Sequence, residues 1–184
     1  MCGIAGLLRL DGRPVSPAIL KAMTDAIAHR GPDGEGHWVE GSVGLGHRRL
    51  AIIDLSPAGH QPMLSHDRRY VLSYNGEVYN YRELRVELET LGHRFYSTSD
   101  SEVVLCALSQ WGLDALLKFN GMFALAFWDR QEKSLLLARD RYGIKPLYYA
   151  GQGNIFAFGS EQKAITSQLD FRRALNKPAL LEYF

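Results

Sequence analysis

The sequence predicts an α+β layered fold in a single domain. Short runs rich in β-branched and aromatic residues, bounded by glycine, proline and aspartate, recur along the whole chain. Several stretches with apolar residues at helical spacing interrupt them without strict strand–helix–strand alternation, the pattern of a layered α+β arrangement. The 184 residues fit one domain with its own core, since typical domains run roughly 100–200 residues.

In chain order, residues 4–10 (IAGLLRL) read as a buried strand. Ser16 is an N-cap candidate and Pro17 suits the first helical position. With Ile19, Leu20, Met23 and Ile27 at helical spacing, they predict a helix over 17–29. After the turn-rich RGPDGEG, short alternating runs at HWV, VGLGH and LAIID predict strands joined by tight turns. YVLSYNGE reads as a strand. NYRELRVELETLG reads as an amphipathic helix with Leu84, Leu88 and Leu91 on one face and Gly92 as its stop. Asp100 or Ser99 caps a further helix through Trp111, with Val103, Val104, Ala107, Leu108 and Trp111 inward and Gly112 beyond its end. Strand-like MFALAFWD, SLLLARD, PLYYA and IFAFGS follow, then a short helix at about 161–168. The final run, LLEYF, looks like the start of another element, so the chain is expected to be part of a longer protein.

With 46% hydrophobic and 22% charged residues and a formal net charge of +1, nothing calls for a polyanionic partner such as nucleic acid. No stretch approaches the roughly 20 apolar residues of a membrane span, and the start MCGIAGLLRLDG lacks the basic and apolar regions of a signal peptide. A cytoplasmic protein is expected. Cys2 and Cys106 are too few for a disulfide framework, Cys106 reading as a small packed hydrophobe. The six histidines show no ligand spacing, so no protein-held metal is expected.

Four places carry chemistry. Cys2 directly follows the initiator methionine, and removal of Met1 would leave one residue with both a thiol and a free α-amine. An amine of pKa about 7.7–8.0 is a suitable base for a thiol of about 8.5. Arg49, in GHRRLAIID, could pair with a substrate carboxylate or be an ordinary surface arginine. Asn75 and Gly76, in YNGEVYN, offer an amide and an unhindered backbone N–H, the donors of an oxyanion hole. The same dipeptide is also the commonest hairpin turn. Glu77 and Asp100 could hold an ammonium, and Asp100 could equally be only a helix cap.

Nine blocks, MCGIAG, HRGPDGEG, GHRRLAIID, QPM, YNGEVYNYRELR, TSDSEVVL, NGMFALAFWD, ARDRYGIKPLYY and FGSEQKAI, resemble in order and spacing the amino-terminal glutaminase domain of asparagine synthetases. The resemblance covers nearly the whole chain. Glutaminase domains of glucosamine-phosphate synthase and phosphoribosyl-pyrophosphate amidotransferase share the leading Cys-Gly-Ile but differ in the HRGPDG and RLAIID blocks. The resemblance implies a four-layer αββα sandwich of the amino-terminal-nucleophile hydrolase type, with two packed antiparallel sheets. It makes Cys2 the nucleophile, its α-amine the base and Arg49 the ligand of the glutamine α-carboxylate. The backbone of Leu50, Ala51, Ile52 and Ile53 would line the pocket, Asn75 and Gly76 would stabilise the oxyanion, and Glu77 with Asp100 would hold the substrate ammonium.

It also implies a glutaminase domain over residues 1–184 that passes ammonia to a synthetase domain in cis. ATP and magnesium would belong to that second domain, because the SGG-x-DS loop of the family and G-x-x-x-x-G-K-[ST] are both missing from these residues, and this domain needs no cofactor. Aspartate is the default acceptor, and the face that a partner domain would cover leaves room for a homodimer. The rival is a non-catalytic dimerisation or docking module, against which the presence of Cys2 counts. A cysteine peptidase or acyl transferase would leave Arg49, Glu77 and Asp100 without a zwitterion to hold.

Overall fold

The computed structural model describes residues 1–167 and Pro178. The run LLEYF lies outside the described residues. Nine strands form two antiparallel sheets among them. The first contains β1 (Gly3–Arg9), β2 (Gly34–Glu40), β3 (Val43–Arg49), β8 (Tyr148–Gln152) and β9 (Ile155–Gly159), in the order β2-β3-β1-β9-β8. The second contains β4 (Met63–Leu64), β5 (Tyr70–Val78), β6 (Gly121–Asp129) and β7 (Ser134–Arg139), in chain order.

Side-chain alternation along the strands separates the layers. Ile4 on β1, Val43 and Leu45 on β3, Val71 on β5, Ala124, Ala126 and Trp128 on β6, and Phe158 on β9 pack together between the sheets. Ala5 and Leu7 face the other way, against Leu20, Met23 and Ile27 and against Ala164 and Ile165. These belong to α1 (Pro17–Asp25) with the turn after it, and to α5 (Gln162–Thr166). On the far side, Leu72, Tyr74 and Val78 of β5 and Phe123, Leu125 and Phe127 of β6 pack on α2 (Tyr81–Thr90) and α3 (Asp100–Trp111), with the short α4 (Ala115–Lys118) beside them. Helix, sheet, sheet, helix is the expected αββα sandwich. Gly44 and Gly46 of β3 are what let α1 lie close, since a Cβ at Gly46 would meet the Thr24 side chain at 2.5 Å.

Several sequence expectations shift. The helix over 17–29 ends at Asp25, and a 3₁₀ turn at Ala28–Arg30 follows. Ser16 sits at its N-cap without a side-chain bond. LAIID is not a strand: β3 stops at Arg49, and the chain leaves the sheet with Ile52 and Ile53 exposed. PLYYA pairs only from Tyr148. Leu91 is exposed past the end of α2, where Gly92 at φ +94° turns the chain away from the core. Cys106 is half-buried in α3 and free of disulfides, as a packing residue would be.

Candidate active site

One cleft at an open end of the sandwich gathers Cys2, Arg49, Leu50, Ala51, Ile52, Ile53, Gly76, Glu77 and Asp100. Its volume is about 430 Å³ including the mouth. Asn75 is the one sequence-predicted site residue not on its wall; at 1% exposure it sits buried on the inter-sheet side of β5.

Strand register explains the convergence. Gly3 pairs with Arg48, which delivers Cys2 to the point where the chain departs from β3. There the Leu50 N–H donates to Cys2 Sγ at 3.3 Å, and Sγ–H reaches the Leu50 carbonyl at 3.5 Å. The Arg30 Nε–H donates to the Cys2 carbonyl at 3.0 Å, and Ser160 Oγ accepts from the Ile4 N–H at 2.9 Å. The amino terminus is thus held from several sides. Burial pushes the Cys2 thiol up, and the Leu50 N–H, the amino terminus, Lys145 and Arg49 oppose that rise. Met1 precedes Cys2 and is 57% exposed.

Asn75 and Gly76 are not a turn. They continue β5 opposite Ala124 and Phe123, and the strand runs on to Val78. A Cβ at Gly76 would meet the Met122 carbonyl oxygen at 2.5 Å, so no larger residue fits without a shift. Phe123 spends both backbone groups on Asp140: its N–H donates to Asp140 Oδ2 at 3.2 Å and its carbonyl accepts from the Asp140 N–H at 2.8 Å. Gly76 and Phe123 are therefore a non-hydrogen-bonded pair, and the Gly76 N–H points away from β6. β4 ends at the level of Leu72. On that same open edge the Tyr74 N–H is taken by Gln61 Oε1 at 2.6 Å and the Val78 N–H by Asp100 Oδ2 at 3.1 Å. The Gly76 N–H between them has no partner among the described residues. Asn75 Nδ2 is likewise buried without a partner. Two unmet donors at neighbouring positions are what a developing anion requires.

Asp100 opens α3 and is buried. Burial pushes its carboxyl up, against bonds from the Val78 N–H and the Tyr74 hydroxyl. Glu77 is half-buried, and its carboxylate makes no hydrogen bond or ion pair among the described residues, while its backbone pairs with Met122 in the sheet. Arg49 donates through Nη1 to the Ser56 carbonyl at 3.0 Å and through Nη2 to the Asp54 carbonyl, so it also shapes the loop over the cleft.

Residues 1–184 match the family described as glutamine amidotransferase domain. The chain belongs to that family. This amidotransferase domain is 41% identical to asparagine synthetase [glutamine-hydrolyzing] 3 of Bacillus subtilis over 187 aligned residues, covering all of this chain and 30% of that protein. It is 39% identical to a putative asparagine synthetase of Methanocaldococcus jannaschii, covering all of this chain and 39% of that protein. The chain thus spans about a third of the length of these relatives. In fold it is similar to the glutamine phosphoribosylpyrophosphate amidotransferase of B. subtilis, with a TM-score of 0.75 at 23% identity over 89% of this chain and 43% of that one.

Four residues of the amidotransferase domain escaped the sequence reading. Arg30 holds the Cys2 carbonyl and pairs with Glu161 at 3.1 Å. Gln61 bridges the Tyr74 N–H to Ser101 Oγ, the latter at 3.2 Å. Asp54, held down to about 2 by bonds from Ser56 and Thr98, ties the cleft loop to the approach to α3. Lys145 is buried, its N–H donating to Asp140 Oδ2 at 3.0 Å. Arg30, Gln61 and Lys145 stand in the HRGPDGEG, QPM and ARDRYGIKPLYY blocks, and their position there was the only available signal.

Proposed function

We propose that this domain, once Met1 is removed, hydrolyses glutamine to glutamate and ammonia through a thioester on Cys2. The α-amine of Cys2 takes the thiol proton, and sulfur attacks the side-chain amide carbon of glutamine. The resulting oxyanion is met by Asn75 Nδ2 and the Gly76 N–H. Collapse breaks the C–N bond, the protonated amine returns its proton to the departing nitrogen, and ammonia leaves. Water, deprotonated by the same amine, then cleaves the thioester and releases glutamate. Arg49 binds the α-carboxylate, the backbone of residues 50–53 lines the pocket, and Glu77 with Asp100 holds the ammonium.

The observation that most supports this reading is the pair of unmet donors at neighbouring positions, the Gly76 N–H of a residue on the wall of the cleft that also holds Cys2, and the buried Asn75 Nδ2 beside it in sequence. The asparagine synthetase relatives support the wider assignment: residues 1–184 are a single glutaminase domain whose ammonia serves ATP-dependent, magnesium-dependent amidation in a synthetase domain in cis, aspartate being the default acceptor. The test is glutamate release from glutamine by Met1-free protein, verified by intact mass, with Cys2→Ala as control. Turnover that disappears in the control is expected; equal turnover in the control would exclude Cys2 as nucleophile.

A further inference from the structure

The chemistry at the cleft is divided between the two sheets. The Cys2 thiol belongs to the first: its sulfur accepts from the Leu50 N–H at 3.3 Å, where the chain leaves β3. Asn75 and Gly76 belong to the second, on β5. Attack on an amide carbon needs sulfur at the carbon and donors at its oxygen together, so the spacing of the sheets sets the reacting geometry.

Among the described residues, two buried hydrogen bonds join strands of the first sheet to strands of the second, and they are adjacent. Ser73 Oγ donates to the Gly46 carbonyl at 3.0 Å, and His47 Nε2–H donates to the Tyr74 carbonyl at 3.1 Å. A carbonyl can only accept, so Nε2 carries the imidazole proton. The Tyr74 carbonyl shares its peptide with Asn75, and β4, which ends at the level of Leu72, gives Tyr74 no strand partner on that edge. Its N–H is taken by Gln61 Oε1 at 2.6 Å. Both backbone groups of the residue before Asn75 are therefore held by buried side chains. At the other end of the same bond, Leu50 follows His47 by three residues. Loss of the imidazole would leave the Tyr74 carbonyl without its donor, a cost that movement of β5 relieves. Such movement displaces Asn75 and Gly76 while Cys2 stays against Leu50.

We propose that His47 is a positioning residue for the oxyanion donors: its bond to Tyr74, with the Ser73–Gly46 bond beside it, fixes the distance from the Cys2 thiol of one sheet to Asn75 and Gly76 of the other. This rests on Cys2 being the nucleophile and on Asn75 and Gly76 meeting the oxyanion. His47 is not on the cleft wall and exchanges no proton with the substrate.

The experiment compares His47→Leu, which removes the donor, with His47→Gln, which keeps one, in Met1-free protein shown by thermal melt to be folded at the assay temperature. In His47→Leu, kcat for glutamine is expected to fall about 10- to 100-fold, the cost of a displacement approaching about 1 Å at a reacting centre. KM should stay near its original value, because Arg49, Glu77 and Asp100 hold the other end of the substrate. Iodoacetamide should label Cys2 at the original rate, because the thiol and the Leu50 N–H move with the first sheet. His47→Gln should recover most of kcat. A folded His47→Leu protein with unchanged kcat overturns the proposal, and so does one whose Cys2 labelling slows as much as kcat. Should His47→Leu fail to fold, Ser73→Ala removes the neighbouring bond instead. A kcat about 3- to 10-fold lower, with KM and labelling unchanged, is then expected, and an unchanged kcat overturns the proposal. An unaltered domain without turnover would remove the glutaminase assignment and this proposal together, whereas equal kcat in active protein and folded variant removes this proposal alone.

Discussion

The Tyr74 hydroxyl donates to Asp100 Oδ2 at 2.9 Å, which locks the middle of β5 to the first turn of α3. Burial holds the Asp100 carboxyl above its ordinary range in spite of this bond. A carboxyl whose folded value is raised weakens the folded state above its ordinary titration range, so at neutral pH Asp100 works against stability. It is retained at a cleft where an ammonium is expected.

Asp100→Asn should therefore keep or raise the Tm, because the amide oxygen can still accept from Tyr74 and Val78 without a desolvated charge. Glutamine KM should rise about 10- to 100-fold, the loss of a charge-assisted contact. Thermal melts and steady-state kinetics decide this, and a lower Tm with unchanged KM would refute it.

Asn75→Ala should lower kcat about 100- to 1000-fold, the usual cost of one oxyanion donor. Stability should change little, since the amide Nδ2 it removes has no partner to lose. Gly76→Ala should instead unfold more readily, by about 1–3 kcal/mol, because the new methyl meets the Met122 carbonyl and Phe123. Urea denaturation of both variants separates the two effects, and equal stability loss in each would contradict the geometry.

The two thiols should differ sharply. Burial pushes Cys106 up to about 12, so at neutral pH it is an unreactive thiol inside α3. One equivalent of iodoacetamide should label native Met1-free protein at Cys2 and abolish glutaminase activity, whereas Cys106→Ala should leave both the labelling and the activity intact. Labelling at Cys106 in native protein would show that the wrong thiol had been chosen.

His47 predicts an acid limit. It is fully enclosed between the sheets, its Nε2–H donates to the Tyr74 carbonyl at 3.1 Å, and burial lowers it to about 3. A histidine depressed by folding contributes stability above its unfolded value of about 6.5, and that stability is lost as pH falls from there toward about 3. His47→Gln, which keeps a donor, should flatten the pH dependence of urea unfolding in that window. An unchanged slope would assign the acid sensitivity elsewhere.

The layers were legible because helix and strand periods are local. IAGLLRL, MFALAFWD and the Leu84–Leu88 face each declare themselves within a few residues. LAIID misled because its apolar run has the composition of a strand, while Arg49, bonded to the carbonyls of Asp54 and Ser56, bends it off the sheet. Asn75-Gly76 could be read as a turn until the continuous pairing of β5 with β6 was seen. Gln61 and Lys145 carry no local signal at all. Their environments depend on residues well removed in sequence, Tyr74 and Ser101 for one and, through Asp140, Phe123 for the other.

The strand that Cys2 directly precedes, β1, lies in the middle of its sheet, flanked by β3 and by β9. Its second neighbour is made some 150 residues later, at Ile155–Gly159. During synthesis one edge of β1 therefore has no strand partner until Ile155–Gly159 has been made. Only afterwards does Ser160 close on Ile4. A chain cut before Ile155 would leave β1 paired with β3 alone, and the strand next to Cys2 would have an open edge.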